Sequence, residues 1–162
     1  MKITCISTVA TPTILEAIND LREDFELDID FKIYYPNRID EEEVEDETFK
    51  NDLKESDIVL IDIRGGGRSS EIAYDALKDE NNIVLNLIAP LGKLMEITRL
   101  GSFAGGKIAA RMKTAAKVEI EDPEELWKKI ERVQKIVETA GRFLTIKSVK
   151  DAQNYMKATK YW

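Results

Sequence analysis

The sequence contains no histidine, and this absence narrows the chemistry open to the chain. A Ser-His-Asp triad is impossible, and the commonest metal ligand and neutral-pH proton carrier is missing. Cysteine occurs once, at Cys5, so no internal disulfide forms. One cysteine without histidine argues against a transition-metal site in these residues. Because Cys5 lies in the apolar run Ile3-Thr4-Cys5-Ile6, we expect a buried thiol.

A long apolar segment and an excess of positive charge are also lacking. No run approaches the roughly 20 apolar residues that a membrane helix needs. The first residues do not resemble a signal peptide, so we expect a cytoplasmic protein. The formal net charge of −7 argues against general nucleic-acid binding. With 162 residues, 43% of them hydrophobic, the chain has the profile of a globular protein that folds without a structural metal.

The charges are distributed unevenly along the chain. Between Asp40 and Glu47 only Val44 interrupts a run of acids, which we interpret as a solvated loop or the start of a helix. Between Lys93 and Lys117 basic residues predominate and coincide with glycines. This second stretch is therefore the more informative of the two.

Four short apolar runs predict β-strands in the first part of the chain. They cover Lys2–Ser7, Asp28–Tyr35, Asp57–Ile63 and Ile83–Ile88. Helices are predicted between them, because apolar residues there recur at helical spacing. Strands that alternate with helices indicate an α/β fold. We expect a flavodoxin-like parallel sheet of about four strands in the order 2-1-3-4, with a ligand crevice at the carboxyl ends of strands one and three.

The first predicted helix starts at Thr11-Pro12, with a proline in its first turn. Its inner face is predicted to consist of Ile14, Ile18, Leu21 and Phe25. A short helix anchored by Phe49 and Leu53 and a further helix from about Ser69 complete the set that flanks the sheet.

Beyond Pro90 the alternation of strands and helices stops. The pattern predicts a helix over 91–100, a break at Gly101–Gly106, a small-residue helix at 108–116, and an amphipathic helix that begins at Asp122-Pro123. A final helix follows from Ser148, and the terminal aromatics Tyr161-Trp162 indicate that more protein follows. We therefore divide the chain into an α/β domain at 1–120 and a helical extension at 121–162.

Common phosphate-binding and dinucleotide-binding motifs are absent, and the first strand-to-helix turn has no glycine. Its hydroxyl groups, including Ser7 and Thr8, fit a flavin-binding loop only loosely. Asp62 and Arg64 at the end of the third strand are interpreted as a cap or a salt-bridge pair, because no second acid or base supports a catalytic role.

Two glycine-containing stretches are candidate ligand sites. The first stretch, residues 65–68, has two interpretations. Its successive glycines direct backbone N–H groups at an anion while its arginine binds a carboxylate, or the glycines only allow a sharp turn. The second offers cations, a hydroxyl and an aromatic ring to a planar ligand with acidic side chains, or is only a loop between helices. The candidate ligand-binding residues are Gly65, Gly66, Gly67, Arg68, Arg99, Ser102, Phe103, Arg111 and Lys113. No catalytic residue and no metal ligand is predicted.

Three stretches resemble the large, tetrapyrrole-binding subunit of magnesium chelatase and the related subunit of cobaltochelatase. Lys93–Phe103 is similar to the family segment that ends in a Met/Leu-Gly-Ser-Phe element. Asp151–Met156 with Tyr161-Trp162 is similar to the family helix that leads into a Tyr-Trp pair. Asp57–Gly66 fits the family pattern of an aspartate, an apolar strand and two glycines. The Gly105-Gly106 continuation departs from the magnesium branch, which leaves the inserted metal open.

The resemblance implies that this chain is the first portion of a much larger subunit. That subunit binds a porphyrin or corrin while partner AAA+ subunits hydrolyse ATP, with Mg²⁺, to drive insertion of cobalt or magnesium. The enzyme forms nitrogen–metal bonds, and this portion alone is expected to be inactive and to bind no cofactor. Its expected partners are the tetrapyrrole, the AAA+ subunits and the rest of its own subunit, without nucleic acid or a membrane span. The basic stretch that includes Arg99, Arg111 and Lys113 would receive the carboxylates, with Phe103 against the ring. A free-standing flavodoxin-like small-ligand or signalling domain, and a purely architectural docking domain, are the alternatives.

Overall fold

The four apolar runs form the parallel strands at the centre of the molecule. The computed structural model describes residues 1–8, 12–64, 66–88, 93–106 and 147–161. The strands are β1 (Lys2–Ser7), β2 (Asp30–Tyr34), β3 (Ile58–Asp62), β4 (Ile83–Asn86), β5 (Arg99–Leu100) and β6 (Phe103–Ala104). The helices are α1 (Pro12–Asp24), α2 (Pro36–Asp40), α3 (Asp46–Glu55), α4 (Arg68–Leu77), α5 (Lys93–Ile97) and α6 (Lys147–Tyr161). The predicted α/β class is confirmed, and so is a helix close to the C-terminus.

Within the described residues the sheet has six strands in the order β2-β1-β3-β4-β5-β6. β1 pairs in parallel with β2 and β3, and β3 pairs in parallel with β4. The order predicted for the first four strands is therefore confirmed. β5 and β6 are antiparallel additions at the β4 edge, so the prediction of about four strands, all parallel, was wrong.

The two extra strands form a tight hairpin where the sequence predicted the end of a helix and a glycine break. Arg99 pairs with Ala104 and Leu100 pairs with Phe103, and Gly101 and Ser102 make the turn. Strands of two residues are too short to show an alternating pattern of apolar residues, so the hairpin has no periodic signal. The helix predicted over 91–100 is correspondingly reduced to α5.

Other sequence predictions lie outside the described residues. These are the N-cap at Thr11, the helices at 108–116 and from Asp122, the domain boundary at 120/121, and the terminal Trp162. α2, which was not predicted, begins directly after β2 with Pro36 in its first turn, a position that proline favours.

Helices cover both faces of the sheet. On one face Ile6, Val59 and Ile61 pack against residues of α2, α3 and α4, including the fully buried Phe49 and Leu53 that were predicted to anchor a helix. On the other face α1 contributes Ile18 to a small cluster with Ile3 and Ile29. Since each fully buried apolar side chain stabilises a fold by about 1.5–3 kcal/mol, the first face supplies most of the core energy.

Two smaller features matter for stability. Beside β4 and β6, Met95, Phe103 and Tyr155 form a third cluster, through which α6 packs on the hairpin.

At the β2 side, the buried Asp52 of α3 accepts hydrogen bonds from Lys2, Lys32 and Tyr34. Burial raises the pKa of the Asp52 carboxyl, but these hydrogen bonds outweigh burial and hold its pKa at about 2. This carboxylate therefore ties α3 to β1 and β2.

Candidate functional site

Polar side chains meet at the carboxyl ends of β1 and β3. Ser7 lies opposite Asp62 in the parallel register, so both side chains point to the same face of the sheet. Both residues are buried, with 0% of their surface exposed. Next along the chain, Thr8 donates a hydrogen bond from Oγ1 to the Asp62 carbonyl at 2.7 Å. This is the crevice position expected for a ligand of an open parallel sheet.

Asp62 is the one fully buried carboxylate of this edge among the described residues, and a cation lies beside it. Arg64 Nε is 3.6 Å from Asp62 Oδ1, which confirms the predicted salt-bridge pair. Cys5, two residues before Ser7 on the same face, is buried as predicted. Burial, with the nearby Asp62 charge, raises the pKa of the Cys5 thiol to about 12, so the thiol is not a nucleophile at neutral pH.

The first glycine-containing candidate lies at the start of α4, where the protein supplies its own anions. Ser69 N donates to Asp40 Oδ1 at 2.6 Å, and Arg68 Nη2 is 2.6 Å from Asp46 Oδ1. Arg68 Nη1 also donates to the carbonyl of Ile39 at 2.6 Å. Gly66 and Gly67 precede these groups, and Gly65 lies outside the described residues. The helix N-terminus and the guanidinium are thus engaged by the acidic run from Asp40 to Glu47.

Sequence reasoning missed these two acids. Asp40 and Asp46 belong to a run that looks like a solvated segment, and Asp46 precedes Arg68 by 22 residues. No local pattern links a carboxylate to an arginine at that separation, since such a contact is set by the packing of α2 and α3 on α4.

Arg99, from the second candidate stretch, lies at the opposite end of α4. Its guanidinium donates to the carbonyls of Leu77 and Asn82 at 3.0 and 2.6 Å and to Asn82 Oδ1 at 2.6 Å. Burial lowers the pKa of this arginine. Since α4 has ten residues, a length of about 15 Å separates its ends. The structure therefore does not bring Arg68 and Arg99 together.

Ser102 and Phe103 contact α6. Ser102 donates from N and from Oγ to Asp151 Oδ2, each at 2.7 Å. The Phe103 ring stacks on Tyr155 with centroids 4.6 Å apart, and Tyr155 donates to the carbonyl of Asn86 at 2.7 Å. Phe103 is only 8% exposed, so its ring packs against protein. Arg111 and Lys113, the remaining candidates, lie outside the described residues.

Gly101 makes the contact between the hairpin and α6 possible. Its φ of 58° lies in the left-handed region, which glycine adopts without the strain that a side chain brings. A Cβ at this position would lie 2.5 Å from Asp151 Oδ2. The glycine of the Leu-Gly-Ser-Phe element therefore serves both the turn and the approach of the helix.

No protein-family model matches the chain, and no curated protein matches it. Among the described residues, no group of three or more His, Cys, Asp or Glu side chains is placed to hold a metal ion. Within the same residues, no helix has both the length and the apolar character to cross a membrane.

Proposed function

We propose that this chain is the N-terminal domain of the large, tetrapyrrole-binding subunit of a cytoplasmic metal chelatase. In this proposal the full subunit holds a porphyrin or corrin, AAA+ partners hydrolyse ATP with Mg²⁺, and cobalt or magnesium enters the ring. The domain itself is not catalytic. The four parallel strands in the order 2-1-3-4 support a flavodoxin-like ancestry for its sheet, to which the hairpin is an addition.

One observation carries the proposal. Two of the stretches that resemble the chelatase subunit, Lys93–Phe103 and Asp151–Met156, are far apart in sequence and in direct contact in the fold. Ser102 binds Asp151, and Phe103 stacks on Tyr155. Because residues of these two stretches contact each other, the two stretches belong to one structural unit. We expect such contacts if the chain shares the fold of the chelatase subunit.

The internal contacts of the two candidate arginines favour an architectural or docking role for the domain over direct binding of the ligand. Arg68 is bonded to Asp46 and Ile39, and Arg99 is bonded to Leu77 and Asn82. A guanidinium that already has partners gains little from a ligand carboxylate, because it must first lose those bonds. We propose that the domain supports the tetrapyrrole site of the intact subunit by holding its architecture.

A second candidate function is a small-ligand-binding domain of flavodoxin-like type. The observation that favours it is the polar crevice at the carboxyl ends of β1 and β3, with Ser7, Thr8 and Asp62. Ligands of open α/β sheets bind at this edge. In this alternative the site recognises a small polar molecule and needs no partner subunit.

The test combines a binding titration with an insertion assay. A porphyrin and a corrin are titrated against the chain and against the large subunit that contains it, and the ring absorbance is followed. ATP-dependent metal insertion is then measured with the AAA+ subunits, with and without this domain. We expect the intact subunit to bind and insert, and expect removal of the domain to abolish insertion. Unchanged insertion without the domain, or no insertion by the intact subunit, would refute the proposal.

A further inference from the structure

The first turn of α4 lacks the side chain that commonly caps a helix. Its N-cap residue is Gly67, at a position where serine, threonine, asparagine or aspartate usually supplies an acceptor for the first N–H groups. Asp40 supplies an acceptor instead, because Ser69 N donates to its Oδ1 at 2.6 Å. A Cβ at Gly67 would lie 2.9 Å from Asp40 Oδ2, so the glycine leaves room for an oxyanion that comes from outside the helix.

The hydroxyl group of Ser69 is a donor that Asp40 does not use. Only 1% of the surface of Ser69 is exposed, and its Oγ has no hydrogen-bond partner within the described residues. A buried hydroxyl without a partner is unfavourable and uncommon. Covalent geometry keeps this Oγ within about 4 Å of the Ser69 nitrogen, where Asp40 presents its Oδ1. The first turn of α4 therefore offers two adjacent donors to an oxyanion, and the Asp40 carboxylate satisfies one of them.

Few contacts hold Asp40 at this position. Within the described part of the chain it forms no salt bridge, and the bond from Ser69 N is the one hydrogen bond of its side chain. Asp40 is exposed, so ions in solution reach it. Gly66, which precedes the N-cap, is also exposed, and a Cβ there would meet no atom within 4 Å. An external anion therefore competes with the Asp40 carboxylate for the first turn.

We propose that the first turn of α4 binds the phosphate group of a small molecule, and that the Asp40 carboxylate takes the place of this group in the free chain. A helix N-terminus attracts a phosphate through its N–H groups and its dipole. A phosphomonoester has three terminal oxygens that point apart, so one accepts from Ser69 N while another accepts from Ser69 Oγ. Binding of phosphate consequently detaches Asp40 from α4.

The charges around the site favour a single phosphate over a polyanion. The guanidinium of Arg68, in the same turn, balances the charge of Asp46 through a contact of 2.6 Å, so this acid does not repel the phosphate. Three exposed acids, Glu41–Glu43, follow Asp40 directly and repel nucleic acids and anionic membranes. The ligand class is accordingly a small phosphomonoester. The proposal goes beyond the chelatase function and does not depend on it.

The experiment titrates inorganic phosphate against the full chain at neutral pH. Chloride at equal ionic strength is the control for screening, and binding is followed by isothermal titration calorimetry and by the amide resonance of Ser69. Because Asp40 is an internal competitor, the apparent affinity of the unsubstituted chain is lowered in proportion to the fraction of molecules in which the turn is free. Removal of Asp40 should therefore expose the full affinity of the site.

Two alanine variants of equal charge locate the competitor. We expect Asp40→Ala to lower the dissociation constant for phosphate about tenfold or more. Glu41→Ala removes the same charge from an exposed neighbour and should change this constant less than about twofold. Equal effects of the two variants would show that net charge alone governs binding, and the proposal would then be wrong.

The Ser69 hydroxyl is tested in the Asp40→Ala background. Ser69→Ala keeps the backbone N–H and removes the O–H, so we expect the dissociation constant for phosphate to rise severalfold. An unchanged constant would exclude the hydroxyl and overturn the proposed site. Acetate is titrated in parallel, and we expect it to bind more weakly than phosphate. Equal affinities for the two anions would identify a carboxylate site and contradict the proposal.

Asp40 also caps α4, so its loss is checked for an effect on folding. Asp40→Asn keeps an oxygen acceptor for Ser69 N and removes the charge, and far-UV ellipticity reports whether each variant is folded. We expect Asp40→Asn to tighten phosphate binding as well, by less than Asp40→Ala. If folded Asp40→Asn binds phosphate no more tightly than the unsubstituted chain, Asp40 is a helix cap alone and the proposal fails.

Discussion

Replacement of Gly101 by alanine tests how the hairpin and α6 are joined. The change adds a single methyl group at a residue whose φ is 58° and whose neighbour is the Asp151 carboxylate. That methyl carbon would lie 2.5 Å from Asp151 Oδ2, the same oxygen that accepts both hydrogen bonds from Ser102. Alanine therefore perturbs the turn and the contact with α6 together.

The expected loss of stability is the sum of two effects. Left-handed backbone costs a residue with a side chain about 1–2 kcal/mol. Displacement of Asp151 weakens two hydrogen bonds, each of which contributes about 0.5–1.5 kcal/mol. We therefore expect Gly101→Ala to lower the free energy of unfolding by about 2–5 kcal/mol, a large fraction of the stability of an ordinary domain.

Urea unfolding followed by far-UV ellipticity measures the loss. The matched control is Gly66→Ala, because a Cβ there meets no atom within 4 Å and its φ is outside the left-handed region. We expect no loss for the control. In an Asp151→Ala background, Gly101→Ala should cost only the backbone contribution of about 1–2 kcal/mol. A total loss below about 0.5 kcal/mol, or the same loss in both backgrounds, would refute the reasoning.

Three further predictions concern buried polar groups. The Asp52 pKa is lowered from 3.8 to about 2, so its contribution of about 2 kcal/mol is present above pH 4 and is lost as the pH falls toward 2. In urea unfolding between pH 2 and 6, the Asp52→Asn variant should therefore lose less stability on acidification than the unsubstituted chain. An equal loss in both proteins contradicts this role of Asp52. The Cys5 thiol, with a pKa of about 12, should react with an aromatic disulfide reagent at pH 8 at least about a thousandfold more slowly in the native chain than in urea. Tyr155→Phe removes the hydrogen bond that Tyr155 donates to the Asn86 carbonyl and should lower the free energy of unfolding by about 0.5–1.5 kcal/mol in thermal or urea unfolding, and a neutral effect would exclude this bond as a support of α6.

The parallel strands could be predicted because each of them is recognisable from its own short run of apolar residues. The run from Asp57 to Ile63 is apolar enough to identify a strand buried on both faces, and the structure places β3 within it. The order 2-1-3-4 was expected from the flavodoxin-like alternation of strands and helices, because the right-handed connection of parallel strands fixes no order by itself. The hairpin was not predictable in the same way, because Arg99–Leu100 and Phe103–Ala104 each supply only two residues of pattern.

Side-chain partners were the least predictable feature of the candidate site. Arg68 and Arg99 are both suited to bind a carboxylate, and the sequence offers no means to tell a ligand from an internal partner. The structure gives Arg68 an internal carboxylate from Asp46, and it gives Arg99 backbone carbonyls. Both contacts join residues that are more than 20 positions apart in the sequence. Only the packing of whole helices and strands determines such contacts.

Both ends of α4 are hydrogen-bonded to other segments of the chain, and this affects how the domain unfolds locally. Its first turn is held by Asp40, 29 residues earlier in the chain, and its last turn by Arg99, 22 residues later. Fraying at either end of the helix must therefore break a contact with a distant segment. Local unfolding usually begins at helix ends that lack such contacts. In native-state hydrogen exchange, the amides of α4 should consequently be released together with those of β3, at the free energy of global unfolding.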